Sequence, residues 1–366
     1  MPTTPPLKFL APSWFSVVMG LAGLALAWQA AEPTLGASAT GVALALGAVA
    51  LLVALALLCL SVWRAQRHPQ ALTEDLRHPV RHGFVAALPV AVLLLVTLAV
   101  RLEVRGAWLS GVWWLAALGQ LWATVWVLQR WLVASLAAAA PASAAEVSLQ
   151  GLIQGAGGMP RQAAPPPVPS AFWPSVTPVL FIPVVGNVVA PLAGLSLGFP
   201  TWSAAQFGVG ALLWPVVLTL LLVRRAVQGP LPDRLLATWF ITVAPPSVMG
   251  LVLQADGAPQ PVVAGFWGVA LFFLLWTARI APQAVNQPFS LVWWAVSFPL
   301  AAFATLTLKL AALVGSGPLQ TVGTLLLALV SLVVCGLVLG TVRGLRDGSL
   351  LAPEPVAMLQ MAENKQ

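Results

Sequence analysis

The chain has 366 residues, of which 60% are hydrophobic and only 7% are charged, and its mean hydropathy is +0.93. So few charged residues cannot form the polar surface of an ordinary water-soluble protein, and the composition therefore excludes that class. The formal net charge of +7 does not indicate a nucleic-acid partner, because no run of five or more basic residues occurs and the charges lie between apolar stretches.

Ten apolar stretches are long enough to cross a hydrocarbon core that is about 30 Å thick. They predict an all-α integral membrane protein with ten transmembrane helices. The predicted spans are 13–31, 40–63, 82–101, 107–132, 173–196, 203–223, 235–254, 262–279, 289–312 and 319–342. The first span resembles a signal peptide, but Lys8 is the only basic residue before it and no small-residue cleavage site stands out, so we interpret it as a helix.

The basic residues between the spans predict an orientation. With ten spans both termini lie on one side, and fourteen of the 17 Lys and Arg residues fall there, against Arg101, Arg105 and Lys309 on the other side. The positive-inside rule therefore predicts cytoplasmic termini for a multi-pass protein of the plasma (inner) membrane. Cys59 and Cys335 fall within apolar spans, and we interpret them as small buried side chains rather than a disulfide or a metal pair.

The odd-numbered spans share a weak internal repeat, in which an aromatic residue is followed five positions later by a helix breaker. The five instances are Phe15 with Gly20, Phe84 with Pro89, Phe181 with Gly186, Phe240 with Pro245, and Trp294 with Pro299. The even-numbered spans lack this mark, so the repeating unit is a helical hairpin, and all hairpins start from the same side. These features predict five helical hairpins in a quasi-fivefold ring with a central pore.

The helix breakers also predict which helices lie inside. A proline within a helix has no N–H and leaves an earlier carbonyl without its partner. In a bilayer such backbone is tolerated only where protein buries it or where it borders a watery cavity. We therefore expect the broken odd-numbered helices inside and the unbroken even-numbered helices outside. The alternative, that proline is simply commoner in membrane helices, does not explain the alternation.

The segments outside the spans complete the domain organisation. Residues 1–12 are predicted to be a cytoplasmic N-terminus, residues 13–342 the transmembrane pore domain, and residues 343–366 a cytoplasmic tail. Residues 139–172 are rich in Ala and Pro. This composition is typical of a linker of mixed flexible and polyproline character, here inserted between the fourth and fifth helices on the cytoplasmic side.

The titratable residues indicate which chemistry the membrane region lacks. All ten acidic residues fall in predicted loops or tails. Intramembrane carboxylates typify proton relays and cation pathways, so their absence favours an anion pathway. No acid-base pair in the spans suggests an enzyme, and no cofactor or metal site is predicted. His78 and His82 are four residues apart in a basic loop, but no acidic or thiol partner completes a metal site there, and we interpret them as solvated or headgroup-facing.

Two further residues stand out in the ninth span. Lys309 lies in an apolar run near the outer end, where it either extends to the outer interface or faces the pore as a charge at its mouth. Phe298 immediately precedes Pro299, so a ring at this kink could constrict a pore. Its position alone, however, favours ordinary packing.

Several stretches carry a family resemblance as a set. They are WFSVVMGLAGLALAW, LRHPVRHGF, FIPVVGNVVAPLAG, FITVAPPSVMG and WWAVSFPLAAFATLTLK. In their order and spacing they resemble the tellurite-resistance/dicarboxylate transporter family, which includes bacterial tellurite-resistance proteins and plant guard-cell slow anion channels. The resemblance covers most of residues 12–310, and the long Ala/Pro-rich segment before the fifth span is a departure from it.

The resemblance implies a homotrimer with one pore in each subunit, and it implies that Phe298 is the pore gate. The helix breakers expected to line the pore are Gly20, Pro89, Gly186, Pro245 and Pro299. The leading hypothesis is a channel-type pathway for small inorganic or organic anions, with membrane lipids and other copies of the chain as partners. The alternative is a carrier or exporter of C4-dicarboxylates, sulfite or tellurite, with or without proton coupling.

Overall fold

The computed structural model describes residues 6–139 and 172–352, and within these ranges the chain is helical without β-strands. Nine helices in the described ranges are long and apolar enough to cross a membrane, and a further apolar helix is shorter. Numbered in chain order, the helices are α1 (Pro12–Ala30), α2 (Ala37–Arg67), α3 (Arg81–Arg101), α4 (Ala107–Ala139), α5 (Pro178–Gly194), α6 (Pro200–Gln228), α7 (Asp233–Ala255), α8 (Gln260–Ala278), α9 (Leu291–Val314) and α10 (Gly317–Arg346).

Each predicted span overlaps one of these helices, and the boundaries differ most at the end of α4, which reaches Ala139 instead of residue 132. The start of α5 differs as well. This helix begins at Pro178 instead of residue 173, because Thr177 is extended, as the residue before a proline prefers. At the other end of the chain, α10 continues to Arg346, past the predicted boundary at 342. Residues 140–171 of the predicted linker and residues 353–366 of the predicted tail lie outside the described residues.

Burial alternates with helix number, which confirms the expected separation of inner and outer helices. In the most apolar stretches of α1, α3, α7 and α9, between 61 and 94% of the residues are buried. The corresponding share in the even-numbered helices is only 17 to 39%. Large apolar side chains such as Leu115, Leu212 and Leu332 are exposed on these outer helices, as a lipid-facing surface requires.

The inner helices contact one another in a continuous series. α1 contacts α3, α3 contacts α5, α5 contacts α7, α7 contacts α9, and α9 contacts α1. Each of α2, α4, α6 and α8 packs against the odd-numbered helix before it and the odd-numbered helix after it, and α10 packs against α9 and α1. The even-numbered helices therefore form an outer layer that covers an inner layer of odd-numbered helices.

Most of the inner helices change their winding along their length. They begin as 3-10 helices, over Pro12–Trp14 in α1, Arg81–Ala86 in α3, Asp233–Val243 in α7 and Leu291–Val296 in α9, and continue as α-helices. Pro89, Pro245 and Pro299 lie in the first turn of the α-helical parts. A proline in the first turn loses no α-helical hydrogen bond. These prolines therefore mark the change of winding, whereas we had expected them to kink a helix interior.

Side chains of α4 donate hydrogen bonds to the most irregular inner helix, α5. Its segment Phe181–Val185 is π-helical, and this winding leaves carbonyls that need partners. Gln120 Nε2 donates to the carbonyl oxygens of Ile182 and Pro183, both at 3.0 Å, and Thr124 Oγ1 donates to that of Pro183 at 2.6 Å. Because a bilayer offers no water to these groups, side chains of the neighbouring helix satisfy them instead.

The glycine of the first repeat requires a correction. Gly20 lies inside the continuous α-helical segment Phe15–Ala30, so no break occurs there. A Cβ atom at Gly20 would overlap Oγ of Ser297 and would lie 2.8 Å from Cε3 of Trp294. The physical role of this glycine is therefore close packing of α1 against α9.

Two expectations for the outer helices also require correction. Pro215 lies inside the α6 helix, so helix breakers are not confined to the odd-numbered helices. Cys59 and Cys335 are both free and exposed, on α2 and α10, because each lies on the outward face of an outer helix. They are therefore surface thiols rather than the small buried side chains that their apolar surroundings suggested.

We call the end where the odd-numbered helices begin the proximal end and the opposite end the distal end. At the proximal end, the buried carboxylate of Asp75 accepts from Arg64 Nη2 at 2.6 Å and from Arg81 Nη1 at 3.0 Å. Arg64 Nε also donates to the backbone carbonyl of Lys8 at 2.9 Å. This ion cluster ties the N-terminal segment, α2 and α3 together, although the sequence predicted Asp75 to be an ordinary loop residue.

Replacing Gln120 by Leu tests the support that α4 gives to α5. The change removes the donor to two buried carbonyls, and we expect a loss of about 1–3 kcal/mol in stability. The measurement is thermal or denaturant unfolding of the purified protein in detergent, followed by tryptophan fluorescence. The control is Gln228→Leu at the exposed end of α6, which should be close to neutral. Equal stability of the two variants would contradict the proposed support.

Candidate functional site

A small apolar cavity, the proximal cavity, lies among the inner helices. Its volume is about 50 Å³, and residues from all five odd-numbered helices line it. Ser16 of α1 and Val90 of α3 are among its lining residues, and none of the lining residues is charged. Its position among the inner helices and the small size of this space suit the passage of a small solute rather than the storage of a large ligand.

A second cavity of about 50 Å³, the distal cavity, is also lined by all five odd-numbered helices but is polar at one end. Thr97 and Thr305 contribute hydroxyl groups to its wall. Arg101, Gln254 and Lys309 line it as well, and the same three residues line a wider space of about 390 Å³ at the distal surface. The distal cavity therefore leads to a polar, cationic mouth.

Phe298 stands between the two cavities. Its side chain is 9% exposed and lines both of them, together with Val248 of α7. The ring rests against Gly23 of α1, where a Cβ atom would lie 2.9 Å from Cδ2 of Phe298. Because Phe298 is the second residue of the α-helical part of α9, the change of winding fixes where the ring stands. Phe298 and Val248 therefore border both the proximal cavity and the distal cavity.

The structure brings together most, but not all, of the residues predicted for the site. Gly186, Pro245 and Pro299 line the proximal cavity, and Lys309 lines the distal cavity and its mouth. Pro89 does not line either cavity. An added Cβ at Gly119 of α4 would lie 3.7 Å from Cβ of Pro89, so this proline faces the outer layer.

Sequence reasoning missed Val248, Arg101 and Gln254. Helical spacing could have identified part of the wall of the distal cavity. Thr305 and Lys309 are four residues apart, as are Thr97 and Arg101, so each pair lies on one face of its helix. Val248 and Gln254 carry no comparable signal. Their placement depends on how α7 faces its neighbours.

The two histidines of the proximal loop organise the start of α3. His78 Nδ1 accepts hydrogen bonds from the backbone N–H groups of Val80 at 3.1 Å and Arg81 at 3.2 Å. His82 is buried, with Nδ1 2.9 Å from the carbonyl oxygen of His78 and with its ring edge-on to Trp126. His82 is therefore a packed residue, not the solvated or headgroup-facing one that the sequence suggested.

The nine membrane-length apolar helices of the described ranges define a multi-pass membrane protein. A family model described as voltage-dependent anion channel (SLAC1) matches residues 10–342, and the chain belongs to this family. It is 24% identical to a tellurite resistance protein TehA homolog of Haemophilus influenzae, over 81% of this chain and 79% of that protein. It is 30% identical to the S-type anion channel SLAH3 of Arabidopsis thaliana over 45% of this chain, and the match spans only 26% of that relative.

Replacing Gly23 by Ala tests how the Phe298 ring is seated. The added methyl group would press on the ring and on Ala301, whose Cβ would lie 3.4 Å away. We expect the ring to shift, with anion flux in proteoliposomes rising above wild type and a stability loss of about 1–3 kcal/mol. The control is Gly41→Ala in α2, where an added Cβ meets nothing within 4 Å. Flux equal to that of the control variant would argue against a ring seated on Gly23.

Proposed function

We propose that the chain is an anion channel in which Phe298 gates a central pore through each subunit. One observation carries this proposal, namely that the Phe298 side chain lines both the proximal and the distal cavity. A hydrophobic constriction can close a pore by filling it and by excluding water. Movement of this one ring would join two spaces that all five inner helices already surround.

The proposed pore runs along the middle of the inner layer. We propose that five hairpins, each an odd-numbered helix with the even-numbered helix that follows it, are arranged in a quasi-fivefold ring around it. The series of contacts from α1 through α3, α5, α7 and α9 back to α1 supports this arrangement. Gly186, Pro245 and Pro299 are proposed to shape its wall, since they border the proximal cavity.

The preference for anions is proposed from the charges along this path. Among the described residues, no Asp or Glu lines the proximal cavity, the distal cavity or the distal mouth, whereas Arg101 and Lys309 line the latter two. Cation pathways commonly use rings of acidic side chains, and anion pathways use basic ones. Small inorganic or organic anions are therefore the proposed substrates.

The membrane arrangement extends this proposal. The basic residues at the proximal end favour a cytoplasmic proximal side in the plasma (inner) membrane. We also propose a homotrimer with a separate pore in each subunit. The exposed apolar faces of the outer helices provide surface for both lipid and neighbouring subunits.

Replacing Phe298 by Ala tests the gate. Removal of the ring joins the two cavities, so we expect a larger anion current across a planar bilayer than in wild type, with chloride, nitrate, sulfite and malate supplied in turn. The matched control is Phe303→Ala, since Phe303 lies on the same helix but stacks on Trp267 of α8 and lines neither cavity.

The outcomes separate the channel from its rivals. An unchanged current in a well-folded Phe298→Ala variant would contradict gating by this ring. A flux that saturates at carrier-like rates and follows an imposed pH gradient would favour a coupled carrier instead. An equal rise in the Phe303→Ala control would indicate a nonspecific leak.

A further inference from the structure

The distal mouth holds a group of hydrogen-bond donors that form no ion pair with an acidic side chain of the described residues. Arg101, Gln254 and Lys309 come from α3, α7 and α9, and all three line both the distal cavity and its mouth. Arg and Lys side chains only donate hydrogen bonds, and the Gln amide adds two more donors. Three different inner helices thus direct donors to one opening.

These cations lack partners within the described part of the chain. No hydrogen bond or ion pair joins Arg101 or Lys309 to another described residue, and the two charges lie close enough to repel each other. Glu32, two residues beyond the end of α1, lies close enough to attract Lys309 but forms no ion pair with it, and it accepts a long hydrogen bond of 3.5 Å from Gln29. Two neighbouring positive charges at one opening attract anions from solution.

The proximal end differs in this respect. There, Arg64 and Arg81 share the carboxylate of Asp75, and the space of about 360 Å³ that these residues line also contains Glu74, so basic and acidic side chains lie together. The proximal cavity itself has no charged lining residue. An uncompensated cationic site is therefore present at the distal side of Phe298 and has no counterpart in the cavity on the proximal side.

We infer that Arg101, Lys309 and Gln254 form an anion-loading site, open to the distal side, that binds a small oxyanion before it reaches Phe298. The planar guanidinium of Arg101 matches two oxygen atoms of one anion, and Lys309 adds a second charge. This inference rests on the proposed function, which it extends by making the pore asymmetric. Anions arriving from the distal side should be concentrated at the gate, whereas those from the proximal side should not.

A binding measurement tests the site without any flux. Purified protein is heated in nitrate, with gluconate replacing nitrate at constant ionic strength, and the unfolding temperature is followed. An anion that binds only the folded protein raises this temperature. We expect nitrate to stabilise the wild type and the Arg105→Gln control, since Arg105 is exposed and lines neither the distal cavity nor its mouth. Arg101→Gln/Lys309→Gln should lose the effect.

A flux measurement tests the asymmetry. In the Phe298→Ala background, nitrate current is recorded while nitrate is varied on the distal side alone and then on the proximal side alone. With Arg101 and Lys309 present, we expect the distal nitrate concentration that gives half-saturation to be lower by about tenfold or more than in the doubly neutralised variant. The reason is that a cleft lined by charges of one sign concentrates its counter-ion. The proximal half-saturation should change much less.

The two measurements fail in distinguishable ways. If the doubly neutralised variant keeps the nitrate stabilisation and the distal half-saturation of its parent, the proposed loading site is contradicted, whereas the proposed channel is not. If Phe298→Ala carries no current but nitrate still stabilises the wild type through Arg101 and Lys309, the site stands and the proposed channel fails. If Arg105→Gln also abolishes the nitrate stabilisation, general surface charge, not this site, attracts the anion.

Discussion

The structure depends on one constraint, that every backbone polar group inside a bilayer must find its partner within the protein. Regular outer helices satisfy this alone, so they can face lipid directly. The inner helices do not, because they change from 3-10 to α winding and α5 includes a π-helical segment. They are therefore confined to the interior, where donors such as Gln120 and Thr124 reach the carbonyls that the irregular winding leaves open.

The same irregular winding lies beside the two cavities. Gly186, Pro245 and Pro299 border the proximal cavity, and Phe298 and Val248 border both the proximal and the distal cavity. Glycines set how closely the helices approach, as Gly20 does against Trp294 and as Gly23 does against the ring itself. None of the described residues that line the proximal cavity is charged, whereas Arg101 and Lys309 line both the distal cavity and its mouth.

The sequence was sufficient for the features that depend on composition along one helix. Apolar length located all ten helices, and the spaced prolines and glycines of the odd-numbered spans predicted that these helices lie inside, although Gly20 breaks no helix and Pro215 lies within α6. It was insufficient where two helices meet. Val248, Arg101 and Gln254 owe their roles to the direction in which α3 and α7 face, and Asp75 is buried only because two arginines converge on it. Pro89, with the expected sequence context, faces α4 instead of the cavity.

The central claim is that the Phe298 ring separates two spaces belonging to one path. The most direct test places single cysteines at Ser16 in the proximal cavity and at Thr305 in the distal cavity, in a chain lacking Cys59 and Cys335. A small membrane-impermeant thiol reagent is then added to one side of sealed vesicles. We expect each cysteine to react from its own side only, and from both sides once Phe298 is replaced by Ala. Equal reaction from both sides with Phe298 intact would contradict it.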